Sequence, residues 1–591
     1  MPQADRVWDI ETDLLVIGAG AGGMTAALVG ALEGLGVILS EKSDMVGGTT
    51  ATSAGTVWIP GNRQGRRAGT PDTVEAARTY LAAMLGEHAT DQRVDMFLKA
   101  GPIVLDYLEQ KTSVKFAAPP VHPDYKQLRG AAIGGRALGA VPFDGRELGD
   151  DFVRVRPPRR EFMVLGGMMV GKADIPALLA PFRNWTNFRH AVGLLARHAL
   201  DRLRHKRGTR LIMGNALVAR LLDSIRRAGV ELRCETALRE IICEGDDIVG
   251  AVLTSPTGEV AIRARKGVVL ATGGIGWSRE LRERLFPDAA RRFSLAPSSN
   301  TGDGIQAAER VNAIIERDLE SPALWMPSSV MAQADGHVSV FPHIMLDRAK
   351  PGLLAVNKSG RRFVNEADSY HDFVAAMLRS NASASSATPA FLICDRAFIK
   401  DFGIGLVHPG TKDLTEFLQT NYLIEAETIA ELAQKIPIDP DQLAETVERY
   451  NRYAESGVDE DFGRGSSELN RFNGDARSKP NPCLRRIGPG PYYAVAVWPS
   501  DLASSAGLRT DSCARVLSRD GTVLFGLYAV GTDSSSIFRG TYPGPGTMIG
   551  LSSAGAPRWT QRESYAGFSI WRRARCYRPR LSSSVARRRT S

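Results

Sequence analysis

The 591-residue chain is 43% hydrophobic and 24% charged, a composition that excludes a disordered or fibrous protein and leaves room for roughly two to four domains. The net charge of +9 is carried by residues 557–591, where ten arginines face one acid, Glu563; the neutral remainder argues against a nucleic-acid partner. Six cysteines without a C-x-x-C pair signal neither a metal site nor a disulfide framework and suit a reducing, cytoplasmic setting.

In chain order, the N-terminus lacks a basic segment ahead of an apolar run, so no signal peptide is expected. Leu14 to Ile17, the glycine turn Gly18-Ala19-Gly20-Ala21-Gly22-Gly23, an alanine-rich helix and Val37 to Leu39 form a βαβ unit. The G-x-G-x-x-G pattern lies after a strand and opens a helix, where glycines let a pyrophosphate approach the backbone and the helix dipole attracts it. Glu41 ends the second strand, where a carboxylate can accept ribose hydroxyls. The following loop, with Gly48, Thr49, Thr50 and Ser53, can wrap a pyrophosphate and a flavin edge, which favours FAD over a nicotinamide.

Residues 72–112 and 175–228 read as helical, with "TPDTVEAARTYLAAML" opening on Thr70 and Pro71. Apolar segments such as "HAVGLLARHAL" (190–200) are broken by charges before the roughly 18 residues a membrane span needs. Between the helical stretches lies a Pro- and Gly-rich loop containing Tyr125. Residues 230–274 read as successive strands, ending in Gly267 to Leu270 and the turn "ATGG" (271–274), and able to rejoin the first sheet. Mixed α+β texture follows to about residue 490, and "YYAVAV" (492–497) and "VLFGLYAVGTD" (523–533) resume strand character. The fold class is therefore α/β: a Rossmann-like FAD-binding domain built from both chain ends, with an inserted α+β substrate domain. The expected boundaries are 1–322 (with the helical insertion at 72–228), 323–490, 491–556, and a disordered arginine-rich tail at 557–591.

The glycine fingerprint, "GGTTATSAG" (47–55), "ATGG", "TGDG" (301–304), "GRRFVNE" (360–366) and "GLYAVG" (526–531) resemble, in this order, the flavoprotein family that unites fumarate reductases and 3-ketosteroid dehydrogenases. The resemblance runs from about Asp13 to Gly550 and is weakest from 155 to 215. It implies FAD contacts at Gly18, Gly20, Gly22, Gly23, Glu41, Lys42, Gly48, Thr49, Thr50, Ser53, Gly273, Gly274, Asp303 and Gly531; Asp303 reads equally as a loop-capping carboxylate.

Fumarate reductases of this family place an arginine four residues beyond the Asn-Glu pair; here Tyr370 follows Asn365-Glu366 at that spacing, and the late His/Arg segment is replaced by "GTYPGPGTMIG" (540–550). Both changes resemble the 3-ketosteroid dehydrogenases. The resemblance implies that Tyr542 and the Gly546 amide hold a ring ketone, Tyr370 takes the neighbouring proton, and Tyr125 lowers the pKa of Tyr370 by hydrogen bonding. Tyr370 as a core residue, Tyr125 as an exposed loop residue and Tyr542 as a turn residue are the structural alternatives, and His343 and His371 are alternative bases. Arg348 and Arg362 read as residues ordering the inserted domain. The expected partner is a hydrophobic cyclic ketone, with the electron acceptor left open; a fumarate-reductase-like ene reductase and an inactive flavoprotein are the competing functions. After Gly550 the composition breaks abruptly, as a shifted reading frame would produce, where the family has a short apolar helix facing the flavin.

Overall fold

The computed structural model describes residues 7–547 apart from 172–173, 334–335, 346 and 382–385, so the C-terminal tail lies outside the described residues. The first strand, Ile10–Ile17, is buried on both faces from Leu14 onward, as a central parallel strand must be. Val37–Ser40 pairs with it in parallel on one side and Gly258–Leu270 on the other. Glu231–Arg233 extends the sheet beyond Val37–Ser40. On the opposite flank, Asp247–Ser255 and Ala237–Glu244 add an antiparallel meander to the first half of Gly258–Leu270. The upper half of that strand instead pairs in parallel with Val523–Ala529. Residues more than 250 positions apart thus share one sheet, whose strand ends surround the glycine turn.

The small residues of the helix Ala21–Leu32 let it lie close against this sheet and the helix Met213–Arg227. The contact at the turn is backbone on backbone: a Cβ on Gly23 would stand 1.8 Å from the Gly18 carbonyl oxygen. The helical insertion contains Val74–Leu85, Gln92–Lys111 and Trp185–Arg202. The first begins later than Thr70 and Pro71 suggest, because Thr73 is its cap and accepts from the Ala76 amide at 3.0 Å.

A second sheet is built around Tyr492–Ser504, which runs antiparallel to Ala323–Ala332 on one side and to Ala390–Asp395 on the other. Val338–Pro342 and Leu353–Val356 extend its flanks. The boundary expected at 491 falls at the start of Tyr492–Ser504, whose partners all lie in this second sheet and include Phe293–Ser294 from the first 322 residues; the chain rejoins the first sheet at Arg515–Leu517 and Val523–Ala529.

Candidate active site

The strand ends and glycine turns of the first sheet border a cleft that is open to solvent. Gly18, Gly20, Gly22, Glu41, Lys42, Gly48, Thr49, Thr50, Ser53, Gly273, Asp303 and Gly531 all line it. The helix Ala21–Leu32 opens on Gly20 without a side-chain cap, leaving its first-turn amides to face an anion. A Cβ on Gly20 would meet nothing within 4 Å and one on Gly48 only the Gly20 Cα at 3.9 Å; these positions would project into the cleft, where a dinucleotide needs bare backbone. Glu41 accepts from the amides of Ala19 (2.9 Å) and Ser43 (3.0 Å), which orients its carboxylate, while burial pushes its pKa up.

Gly23 and Gly274 stand apart from this lining. Gly23 makes the close helix–turn contact described above, and the Gly274 amide donates to Asp533 at 2.9 Å. Asp533 also accepts from the amide (2.6 Å) and hydroxyl (2.8 Å) of Thr272, tying the last strand to the "ATGG" turn. Sequence reasoning missed it, together with Thr272 and Asn300 in the cleft wall; the only signal was an acid four residues past the end of Val523–Ala529. Asp303 lies on the wall, ion-paired to Lys42 at 2.7 Å and accepting from the Thr301 hydroxyl at 2.6 Å.

Tyr125, Tyr370 and Tyr542 meet in a separate apolar cluster with Leu295, Leu324, Met326 and Met345. Their ring centroids are 5.2–5.5 Å apart, and the Tyr125 hydroxyl donates to that of Tyr370 at 2.9 Å. Each phenol comes from a different part of the chain. Tyr370 is the first residue of the helix Tyr370–Asn381, started by Ser369, whose hydroxyl accepts from the Asp372 amide at 3.1 Å. Lys126 reaches across from the Tyr125 loop to pair with Asp372 at 2.5 Å. The Tyr125 amide donates to the Pro543 carbonyl at 2.9 Å, and the Tyr80 hydroxyl donates to the same oxygen at 2.7 Å.

The turn after Tyr542 is packed backbone-tight. A Cβ on Gly544 would stand 2.6 Å from Trp58 Nε1, itself bonded to Asp124 at 2.8 Å. Gly546 has φ +89°, and its Cβ would lie 2.4 Å from the Thr56 carbonyl oxygen. The Gly546 carbonyl accepts from the Trp58 amide at 3.2 Å; its own N–H has no acceptor among the described residues. Thr56 follows the cleft-lining Ser53 by three residues, so the Tyr542 turn is joined to the wall of the cofactor cleft.

Burial pushes all three phenols well above the ordinary tyrosine value. This reverses the direction expected for Tyr370. Tyr125 is within hydrogen-bonding distance, but desolvation dominates and Tyr125 adds to the rise; a hydrogen bond from Tyr542 and the charge of Arg348 act downward. The histidine alternatives are structurally engaged. His371 Nδ1 accepts from the Trp325 amide at 3.2 Å, and burial lowers its pKa to about 4. His343 is fully buried between Asp347 (2.6 Å) and Ser329 (2.7 Å). Arg348 donates to the carbonyls of His343, Ile344, Glu366 and Asp368, and Arg362 pairs with Glu366 (2.7 Å) and Asp459 (2.8 Å).

Residues 13–549 match the model of the FAD binding domain. The chain belongs to the FAD-binding flavoprotein family. It is an FAD-dependent dehydrogenase, and the bare glycines, uncapped helix and oriented Glu41 fit that cofactor. Within the family, the chain is 38% identical over 92% of its length to 4-oxocyclohex-2-ene-1-carboxylate 5-dehydrogenase of Sinomonas cyclohexanicum, covering 92% of that protein. It is 35% identical over 91% of its length to 3-oxosteroid 1-dehydrogenase of Mycobacterium tuberculosis, covering 96% of it. The fold matches the crystal structure of 3-ketosteroid delta1-dehydrogenase from Sterolibacterium denitrificans in complex with 1,4-androstadiene-3,17-dione, with TM-score 0.86 and 33% identity over 96% of this chain and 99% of that one.

Proposed function

We propose that this flavoprotein removes two hydrogens from adjoining carbons beside a ring ketone, with a 3-oxosteroid as its substrate class and the bond formed at the 1,2 position. The observation that carries this reading is the meeting of Tyr125, Tyr370 and Tyr542 in one apolar cluster joined to the wall of the cofactor cleft. A C–H beside a ketone becomes acidic when charge developing on the oxygen is stabilised by fixed donors. The Tyr542 hydroxyl and the Gly546 amide are two such donors, held four residues apart on a turn with no room to relax. Tyr370 takes the proton from the neighbouring carbon, and the Tyr125 hydroxyl holds a hydrogen bond to the oxygen that receives it. FAD, when bound, supplies the acceptor for the hydride leaving the next carbon. The apolar lining of Leu295, Leu324, Met326 and Met345 suits a hydrocarbon ring system and offers no clamp for a small dianion, which weighs against a fumarate-type substrate.

The relative from Sinomonas favours a second substrate, a single oxocyclohexene ring bearing a carboxylate, on which the same residues would act. Turnover of androst-4-ene-3,17-dione and of 4-oxocyclohex-2-ene-1-carboxylate with an artificial electron acceptor separates the two. The steroid is expected to give the 1,4-diene and to bleach the flavin. Tyr370→Phe and Tyr542→Phe are each expected to lower kcat by about a hundredfold or more; undiminished turnover in both variants, or a flavin that no ring ketone bleaches, would sink the reading.

A further inference from the structure

Arg159 brings a positive charge to the edge of the phenol cluster. Its Nη2 donates to the Val340 carbonyl at 2.7 Å and its Nη1 to the Leu295 carbonyl at 3.4 Å. The Leu295 side chain is buried in the cluster with Tyr125, Tyr370 and Tyr542, and that of Val340 packs against it, so the guanidinium lies along the cluster's rim. The segment that carries it is pinned in place. The Arg159 carbonyl accepts from the Phe162 amide at 3.1 Å, and the Phe162 ring packs on Phe341 of the strand Val338–Pro342 with centroids 6.0 Å apart.

A neutral amide side chain would satisfy two backbone carbonyls, whereas sinking a charge to do so is costly. The Arg159 side chain is only 19% exposed. Its ion-pair partner, Glu161, stands 3.6 Å from Nε, beyond hydrogen-bonding reach, and the buried Nε has no acceptor among the described residues. Burial lowers the pKa of Arg159 and Glu161 acts upward, as befits a cation that is incompletely compensated. A guanidinium carries five donors in a planar fork; with two spent on carbonyls, three remain for an oxyanion.

We propose that Arg159 is a specificity-determining residue that pairs with a carboxylate borne by the ring ketone on the side away from its carbonyl. The inference rests on the reading that the phenol cluster acts on a ring ketone, and deepens it by naming the substrate as a monoanionic oxo acid. One guanidinium suits one carboxylate, in contrast to the paired clamps a dianion calls for. With the ketone held at Tyr542 and the carboxylate at Arg159, the substrate is fixed at two points, which sets the carbon between them against Tyr370. A single oxocyclohexene ring and a steroid with an acidic side chain both carry this chemistry, and they differ in reach.

The test measures kcat/KM and equilibrium binding to the oxidised holoenzyme for 4-oxocyclohex-2-ene-1-carboxylate and for 3-oxochol-4-en-24-oate, each beside its methyl ester. In one pair the acid is expected to exceed its ester by about tenfold or more in kcat/KM, and the pair that shows it identifies the frame. Arg159→Gln is expected to abolish that preference, mostly through KM, and Arg159→Lys to keep part of it. Glu161→Gln, which removes the competing carboxylate, is expected to raise the preference by about threefold or more. A merely structural strap would give no such rise, and this variant decides the matter even where Arg159→Gln folds poorly. Equal kcat/KM for acid and ester in both pairs, a preference that survives Arg159→Gln, or no response to Glu161→Gln overturns the assignment and leaves the desaturase reading standing. Acid-selective binding that Arg159→Gln abolishes, with a flavin bleached by neither acid nor ester, upholds the role of Arg159 and sinks the desaturase reading; absence of both binding and turnover overturns both.

Discussion

Tyr370 combines two demands that oppose each other. A base must lose its proton readily, yet the apolar cluster that receives a hydrocarbon ring desolvates the phenol and raises its pKa well above 10. Deprotonation therefore becomes more accessible with every unit of pH, and log kcat/KM for the ketone is expected to climb from neutral pH to about 10 without levelling. A plateau below pH 9 in a pH–rate profile would show that another group limits the step. His371, next to the base, responds in the opposite range. Its folded pKa of about 4 lies below the ordinary value of 6.5, so the unfolded chain takes up a proton that the folded chain refuses as pH falls through that window. Stability present above pH 6.5 is lost by about pH 4, at a cost of roughly 3 kcal/mol. His371→Asn keeps an acceptor for the Trp325 amide and is expected to flatten the dependence, read from denaturation midpoints between pH 7 and 4.

At the level of elements, the three phenols stay together because their supports are cross-braced. The Tyr125 loop is tied to the Tyr370 helix by Lys126–Asp372 and to the Tyr542 turn through the Pro543 carbonyl. Lys126→Met is expected to lower kcat about tenfold with little change in flavin content, and adding Asp372→Asn is expected to cost much less than the product of the single effects. The turn tolerates no side chain at Gly546, where φ is +89° and a Cβ would overlap the Thr56 backbone. Gly546→Ala must therefore shift the amide, and a loss of about tenfold or more in kcat is expected, with about 1–3 kcal/mol of destabilisation. A stopped-flow measurement of flavin reduction would report the first effect and thermal unfolding the second.

Across the whole molecule, the second sheet is braced by a buried charge network. Glu366 is fully buried, accepts from Arg362 at 2.7 and 2.8 Å and from Arg464 at 3.1 Å, and also receives the Ala355 amide. Glu366→Gln leaves the guanidinium charges buried with one partner fewer and is expected to cost about 3–5 kcal/mol, seen as a lower unfolding midpoint of the holoenzyme. Glu366 was visible beforehand in the "GRRFVNE" motif as a candidate partner for nearby arginines, while its arginine partner at 464 carried no local signal. The cofactor cleft was more legible, because a dinucleotide demands bare backbone at a strand–helix turn, and glycines at fixed spacing announce that demand locally. Periodicity likewise marked the strands of the first sheet and the start of Tyr492–Ser504, but a strand's texture does not reveal which sheet it joins. The amino-acid sequence by itself determined the glycine turns, the strand and helix segments and the chemistry available at Tyr125, Tyr370 and Tyr542. Only the tertiary structure decided that the phenols meet, that burial raises the pKa of Tyr370 where a hydrogen bond was expected to lower it, and that the helix Trp185–Arg202 turns its apolar side outward. Contact, desolvation and exposure arise between segments distant along the chain, and no local pattern encodes them.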